Sequence, residues 1–218
     1  MVSDADRLAE EAIAALIRRE RPDDGLIGEE GAAAGGASGR RWVVDPLDGT
    51  TNYLYGFPVW AISVAVEDED GPLAGVVLDP TRDELIAAAR GGGTTLNGAP
   101  VRVREDTPLE RSLIATGFGY EADRRAQQAG VAQHVLPRVR DVRRAGAAAV
   151  DIAWVAAGRL DGYYERGLKP WDWAAGRLLV TEAGGAVADL PGEPVGLVAA
   201  SSGLIGELLD LVAAAERE

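Results

Sequence analysis

The stretch DPLDGTTNY, residues 45–53, sets two acids, Asp45 and Asp48, three positions apart around a proline and directly before Gly-Thr-Thr. Carboxylates this close repel each other unless something neutralises them. Asp45 follows the hydrophobic run RWVV, which predicts a short buried strand ending at Asp45. In open sheets the carboxyl ends of strands border the binding crevices. Pro46 stiffens the turn, so both side chains can point at one spot, and Leu47 between them can offer only its backbone carbonyl. Two carboxylates and a carbonyl are all oxygen donors, a set that suits Mg²⁺. Gly49, with no side chain, lets an oxyanion approach the backbone closely. The free N–H groups of Gly49, Thr50 and Thr51, leading into a helical turn, can cradle a phosphate. A phosphate between those donors and the cations is placed for hydrolysis, with two metals holding the attacking water and the leaving oxygen in line.

Further acidic stations stand elsewhere: Glu29 and Glu30 in IGEEG, Glu165 at the end of DGYYE, and Asp172 in KPWDWAAG at the start of an expected helix. Each has a plain structural reading. DPLDG is a common turn, GEE a solvated face, Glu165 a strand-end charge, and Asp172 a helix cap. Their combination matters because the chain has so little else to work with. It has no cysteine, and His134, expected on the surface, is its only histidine. A Ser-His-Asp or Cys-His mechanism, a zinc-thiolate site, a multi-histidine metal site and a disulfide are therefore excluded or disfavoured. Hydrolytic chemistry must rest on carboxylates, hydroxyls and hard cations. The net charge of −13 argues against nucleic acid as a partner, although bound cations would let an acidic protein hold an anionic substrate. The start, MVSDADRLAEE, has no basic and apolar leader, and no apolar run approaches membrane-spanning length, so the expectation is a cytoplasmic protein with no membrane partner.

Positioning these residues requires an alternation of strands and helices. Residues 3–19 have helical spacing through Leu8, Ala12, Ala15, Leu16 and Arg19, with Ser3 or Asp4 as N-cap. Residues 31–39 read as a flexible loop. AISVAVED, LAGVVLDP and ELIAAAR read as strands, GGTTLNG as a turn, and SLIATG, LDGYYE and VGLVAAS as further strands. Helices are expected at 121–136, 147–157, 172–183 and 204–216. The whole suggests mixed sheets sandwiched by helices in one domain spanning 1–218. A change of subdomain is expected near residue 110, with metal and phosphate on 1–110 and the substrate side, with Asp172, on 111–218.

IGEEG, WVVDPLDGTTNY and GLKPWDWAAGRLLVTEAGG resemble the three signature segments of the inositol monophosphatase family, and GGGTTLNGAPVRV resembles its central hairpin. The resemblance runs from about Ser3 to the C-terminus. It implies an α+β fold layered αβαβα, shared with fructose bisphosphatases, a homodimer, and Mg²⁺-dependent, lithium-sensitive hydrolysis of a small phosphate monoester. It implies that Glu29 is a metal ligand, that Asp45 bridges two metals, that Leu47 gives its carbonyl to the first, and that Asp48 and Asp172 complete the second. Gly49 and Thr50 would hold the phosphate. Thr50 and Glu29 would orient the attacking water, and Asp6 would hydrogen-bond the threonine. Asp48 and Asp172 would also border the substrate, with Ala148 and Glu165 beside its polyol hydroxyls.

Two departures from the family pattern stand out. A further helix and flexible loop usually precede the segment matching VSDADR, where this chain begins at Met1; that loop helps close the site and shape a weak third metal position. The usual Gly-Ser/Thr-Ala is here Gly146-Ala147-Ala148, which removes a hydroxyl near the substrate. The expected activity is that of an inositol-phosphate phosphatase. The alternatives are a histidinol-phosphate or sugar-bisphosphate phosphatase of the same superfamily, or a non-catalytic metal-binding or regulatory homologue. A retaining glycosidase is disfavoured, because its two acids flank a sugar rather than share cations.

Overall fold

Two mixed sheets divide the chain between them in this computed structural model, which describes residues 2–105 and 107–217. The first sheet is formed by β1 (Gly25–Gly28), β2 (Ala33–Ala34), β3 (Arg41–Asp48), β4 (Ala61–Asp68), β5 (Gly71–Asp79), β6 (Glu84–Ala89), β7 (Gly93–Leu96) and β8 (Ala99–Val101). Its order is β2-β1-β3-β4-β5-β6-β7-β8, antiparallel except where β1 runs beside β3. The second sheet, in the order β10-β9-β11-β13-β12, uses β9 (Leu113–Thr116), β10 (Asp141–Arg143), β11 (Gly162–Arg166), β12 (Gly185–Leu190) and β13 (Gly196–Ser201).

The helices complete the layers. α1 (Asp4–Glu20) packs on β3 at the outer face of the first sheet. α4 (Ala148–Ala156) and α5 (Pro170–Glu182) lie between the two sheets and touch both. α3 (Ala122–Val135) packs on α6 (Ile205–Ala215), and α6 covers the outer face of the second sheet. A one-turn helix, α2 (Thr50–Leu54), follows β3. The chain is thus α+β, layered αβαβα.

The middle layer is tight because its residues are small. Ala174, Ala175 and Gly176 are buried on α5. A Cβ added to Gly75 of β5 would come within 3.0 Å of Ala175 Cα, and one on Gly176 within 2.5 Å of Ile152 on α4. Such close approaches let two helices share one layer and bring both of their N-termini to the end of β3. The surrounding core includes Val43, Ala65, Val77, Ile86, Ile152, Leu178 and Leu179.

Several expectations change in the folded chain. β3 continues to Asp48 rather than ending at Asp45, with a register shift against β4 between these two residues. The segment GGTTLNG is strand over Gly93–Leu96, with Gly92 in the turn before it and Asn97 and Gly98 in the turn after it; Thr94 is buried there and its hydroxyl donates to the Leu179 carbonyl at 2.7 Å. The short β1 and β2, β8, β10 and β12 have too little alternation to stand out in sequence and exist because a neighbour supplies their pairing. The helix 3–19 forms, but its buried face is Asp6, Glu10, Ala14 and Ile17, while Leu8 and Leu16 are exposed. Apolar spacing misplaces this face because two of its four buried positions carry acids with partners elsewhere in the fold.

Candidate metal and phosphate site

Asp45, Asp48 and Asp172 converge. One carboxylate oxygen from each lies within 4.8 Å of the others. Asp45 and Asp48 reach this point because the irregularity around Pro46 turns both toward the middle layer. Asp172 reaches it from α5, where it occupies the third helical position rather than the cap expected of it: Lys169 is the N-cap, and the Asp172 Oδ2 accepts its backbone N–H at 2.6 Å. Asp45 Oδ1 accepts from Leu47 N–H at 3.0 Å, and Asp48 Oδ2 from Ala149 N–H at 2.7 Å, in the first turn of α4. Among the described residues, the hydrogen bonds these three carboxyls accept all come from backbone N–H groups. No described lysine or arginine forms a contact ion pair with them.

Burial and mutual repulsion raise the proton affinity of the cluster. Loss of hydration, then Asp48, Glu29 and Asp172, push Asp45 well above the usual carboxylate range. Asp48 is pushed to about 8 by burial and then by Asp172, against the opposing pull of the Ala149 N–H. Asp172 rises to about 6 through burial, offset by the Lys169 N–H and charge. Three oxygen donors, two buried and one half-buried, with excess negative charge and only the Lys169 charge acting on Asp172, are a fit for a hard cation such as Mg²⁺. Nitrogen and sulfur ligands are missing from the cluster, which disfavours zinc.

Glu29 stands at the mouth of the same cavity rather than within the triad. Its residue is exposed, yet its carboxyl is raised to about 7, first by lost hydration, with Asp45 opposing and Asp172, Glu30 and Asp6 adding to the rise. The loop carrying it is held by Glu10 of α1, a residue the sequence pattern does not single out. Glu10 is buried, and its two oxygens accept Glu30 N–H at 2.9 Å and Ala32 N–H at 2.8 Å. A Cβ on Gly28 would collide with that carboxylate at 2.1 Å, so glycine is required for Glu10 to reach the loop.

Thr50 opens α2 after Gly49, whose φ of +89° is left-handed and whose added Cβ would lie 3.1 Å from both Ala147 Cβ and Val59 O. The Thr50 hydroxyl lies 2.9 Å from Asp6 Oδ1 and 3.1 Å from the Leu47 carbonyl. It has one proton, so it donates to one of these at a time. Asp6 is fully buried, and its other oxygen accepts the Ser3 N–H at 2.8 Å, so one carboxylate caps α1 and holds Thr50. Asn52 Nδ2 donates to Val59 O at 2.7 Å and Ala145 O at 2.9 Å, tying α2 to the segment that leads into α4.

Glu29, Asp45, Leu47, Asp48, Gly49, Thr50 and Asp172 line a cavity of about 480 Å³ that also holds Ala148, Glu165 and four cations, Arg124, Arg144, Arg166 and Lys169. Glu165 accepts a short hydrogen bond from the Tyr163 hydroxyl and is raised to about 7 by burial. Gly117 clears the space it occupies. Asp6, also carried in the expected set, stands behind Thr50 rather than in the cavity wall. Arg124, Arg144, Lys169 and Asp151 belong to the site and were not singled out in sequence. Single basic residues on a loop or a helix start carry no motif, and Asp151 is hidden in an otherwise apolar helix. A second cavity, of about 610 Å³, adjoins this one along Gly117, Arg124, Glu165 and Arg166 but contains none of the three clustered aspartates.

The model of the inositol monophosphatase family matches residues 1–218. An inositol-1-monophosphatase of Mesorhizobium japonicum is 46% identical over 197 residues, covering 88% of this chain and 73% of the relative. A Nus factor SuhB of Xylella fastidiosa is 45% identical over 191 residues, covering 87% of this chain and 69% of the relative. The crystal structure of extragenic suppressor protein suhB from Bartonella henselae superimposes with a TM-score of 0.91 at 39% identity, over 97% of this chain and 84% of that one.

Proposed function

Because the chain belongs to the inositol monophosphatase family, we propose that it is a Mg²⁺-dependent phosphatase that releases phosphate from inositol monophosphate. The observation that carries this reading is the convergence of Asp45, Asp48 and Asp172 within 4.8 Å, with no contact ion pair to any of them among the described residues, beside a left-handed glycine at a helix start. We assign metal binding to Glu29, Asp45, the Leu47 carbonyl, Asp48 and Asp172, for two Mg²⁺ ions and a weaker third. When bound, Mg²⁺ neutralises these acids and makes a coordinated water more acidic.

The residues of the chain do the rest. The phosphate lies against the backbone at Gly49 and Thr50, where the missing side chain leaves room and the first-turn N–H groups lack helical partners. Arg124, Arg144 and Lys169 draw a dianion into a protein whose overall charge would repel it. Asp6 accepts the Thr50 O–H hydrogen bond, which turns the lone pairs of the Thr50 oxygen toward a water. Glu29 accepts the proton of that water as its oxygen attacks phosphorus and the ester P–O bond breaks, and the departing inositol oxygen takes a proton from solvent. Ala148 and Glu165 border the polyol, as do Asp48 and Asp172. We read the chain as one domain, with metal and phosphate held by 1–110 and the substrate wall by 111–218, acting as a homodimer in the cytoplasm. Among the described residues, no helix is long and apolar enough to cross a membrane.

The test is phosphate release from a panel of inositol-1-phosphate, histidinol phosphate, fructose-1,6-bisphosphate and phosphoadenosine phosphate, each with Mg²⁺ and with EDTA. Preference for inositol-1-phosphate that vanishes in EDTA is expected; equal rates in EDTA would remove the metal mechanism. A second reading follows from the near-equal identity of the relative named Nus factor SuhB: the same fold serving as a Nus factor. Absence of metal-dependent release from every ester would favour it.

A further inference from the structure

Asp151 lies on α4 and is 1% exposed, yet it lines the proposed active-site cavity. Among the described residues, its enclosed Oδ1 has no hydrogen-bond partner, and no basic group forms a contact ion pair with the carboxyl. A buried carboxyl without a donor is costly, so its retention needs a partner. The element beneath it does not provide one. One helical turn earlier stands Ala147, the N-cap of α4, whose side chain has no hydroxyl to give. The first-turn N–H of Ala149 is already spent on Asp48.

The groups around Asp151 describe the missing partner. Burial does most to raise its proton affinity, Asp48 and then Glu165 lie near enough to add to the rise, and Arg144 near enough to oppose it. Glu165 accepts from the buried Tyr163 hydroxyl. Arg144 is stacked 6.0 Å from the Phe118 ring, is close enough to Glu165 to act on it as well, and lines the same cavity. The wall thus offers two acceptors, Asp151 and Glu165, and one multiple donor, Arg144. An alcohol hydroxyl can donate to a carboxyl while accepting from a guanidinium, and two adjacent hydroxyls can engage both acids.

We infer that Asp151 is a specificity-determining residue: with Glu165 and Arg144 it forms a subsite that binds a pair of adjacent hydroxyls on a polyhydroxylated leaving group. The inference rests on the phosphatase reading and extends it to a residue outside the set assigned above. An ammonium could donate to the same acids, but Arg144 disfavours a cation there.

The experiment uses the full chain and its D151L and D151N variants with Mg²⁺. kcat and KM are measured for inositol-1-phosphate, for p-nitrophenyl phosphate, which has no hydroxyls, and for an aminoalkyl phosphate. Calorimetry measures the binding of free inositol, and melting is followed without metal. The D151L change should lower the kcat/KM ratio of inositol-1-phosphate over p-nitrophenyl phosphate by about 10–100-fold, mainly through KM, as expected for losing a hydrogen bond to a charged group. Inositol affinity should fall by a similar factor. D151N, which keeps an acceptor oxygen, should lose less. Metal-free D151L should melt no lower than the parent, because an unsatisfied buried carboxyl has been removed. A substrate ratio and inositol affinity unchanged within about twofold in a folded variant would mean that Asp151 merely holds a water, and would overturn the inference. A loss confined to the aminoalkyl ester would replace the diol with an amine. If the parent hydrolyses no ester at all, the phosphatase reading falls, while inositol binding still decides the role of Asp151.

Discussion

Replacing Asp172 with asparagine separates a metal ligand from a helix-capping acid. The Asp172 carboxyl is held at about 6 against an ordinary 3.8, chiefly by burial. A shift of this size corresponds to roughly 3 kcal/mol of preference for the neutral form. The side chain is only half-buried, so solvent screening leaves ~1–2 kcal/mol. The sign follows from linkage. A raised carboxyl binds its proton more tightly in the folded chain, so its contribution to stability is present below its unfolded value near 4 and is lost as pH rises through 6. Asparagine carries no charge, and its side-chain oxygen can still accept the Lys169 N–H. Without metal, Asp172→Asn should therefore match the parent near pH 4 and exceed it by about 2–8 °C in Tm above pH 7. With Mg²⁺ the order should reverse, because the parent gains ligand-linked stability that the variant largely loses. Turnover should fall roughly 1000-fold. Differential scanning calorimetry across pH 4–8, with metal-stripped and Mg²⁺-loaded protein, reads all of these shifts. A variant that melts below the parent at pH 7.5 without metal, and turns over normally with it, would reduce Asp172 to a structural cap and refute the argument.

Thr50→Ala and Asp6→Asn should each lower kcat by roughly 100-fold with little change in KM, and the double variant should be clearly less than additive if the pair works as one unit. Losing only thermal stability, about 1 kcal/mol, would leave both as caps. Glu10→Gln turns one amide group toward a backbone N–H and should cost about 1–3 kcal/mol; it should also weaken Mg²⁺ binding in titration calorimetry, because the Glu29 loop loses its anchor. Gly49→Ala should destabilise by ~1–3 kcal/mol and raise KM, since the left-handed φ and the contacts with Ala147 and Val59 leave a methyl group no space. Lithium should inhibit at millimolar concentrations by taking a cation place beside Asp48 and Asp172, and less so in the Asp172 variant; full activity in lithium would remove that explanation.

The amino-acid order by itself announces the chemistry. Asp45, Asp48, Gly49 and Thr50 stand within six residues, so their shared location is set by chain connectivity. The lack of cysteine and the single histidine leave oxygen chemistry as the remaining choice. The long apolar strands β3 to β5 and the helix containing Asp172 were equally readable, because their burial patterns repeat locally. What lies between distant segments could not be read this way. Asp172 joins Asp45 and Asp48 only because Gly75 and Gly176 let α5 enter a shared middle layer. Glu10 looks like a solvated helix charge until α1 is laid on β3, where it holds the Glu29 loop; Asp6 is marked in sequence by the family resemblance alone, and the same packing sets it on Thr50. Asp151 reads as a polar interruption of an apolar helix until the second sheet closes a cavity around it. Sequence spacing reports which face of an element is apolar. It cannot report that a buried face carries acids, because the groups that make such burial tolerable arrive from other parts of the chain.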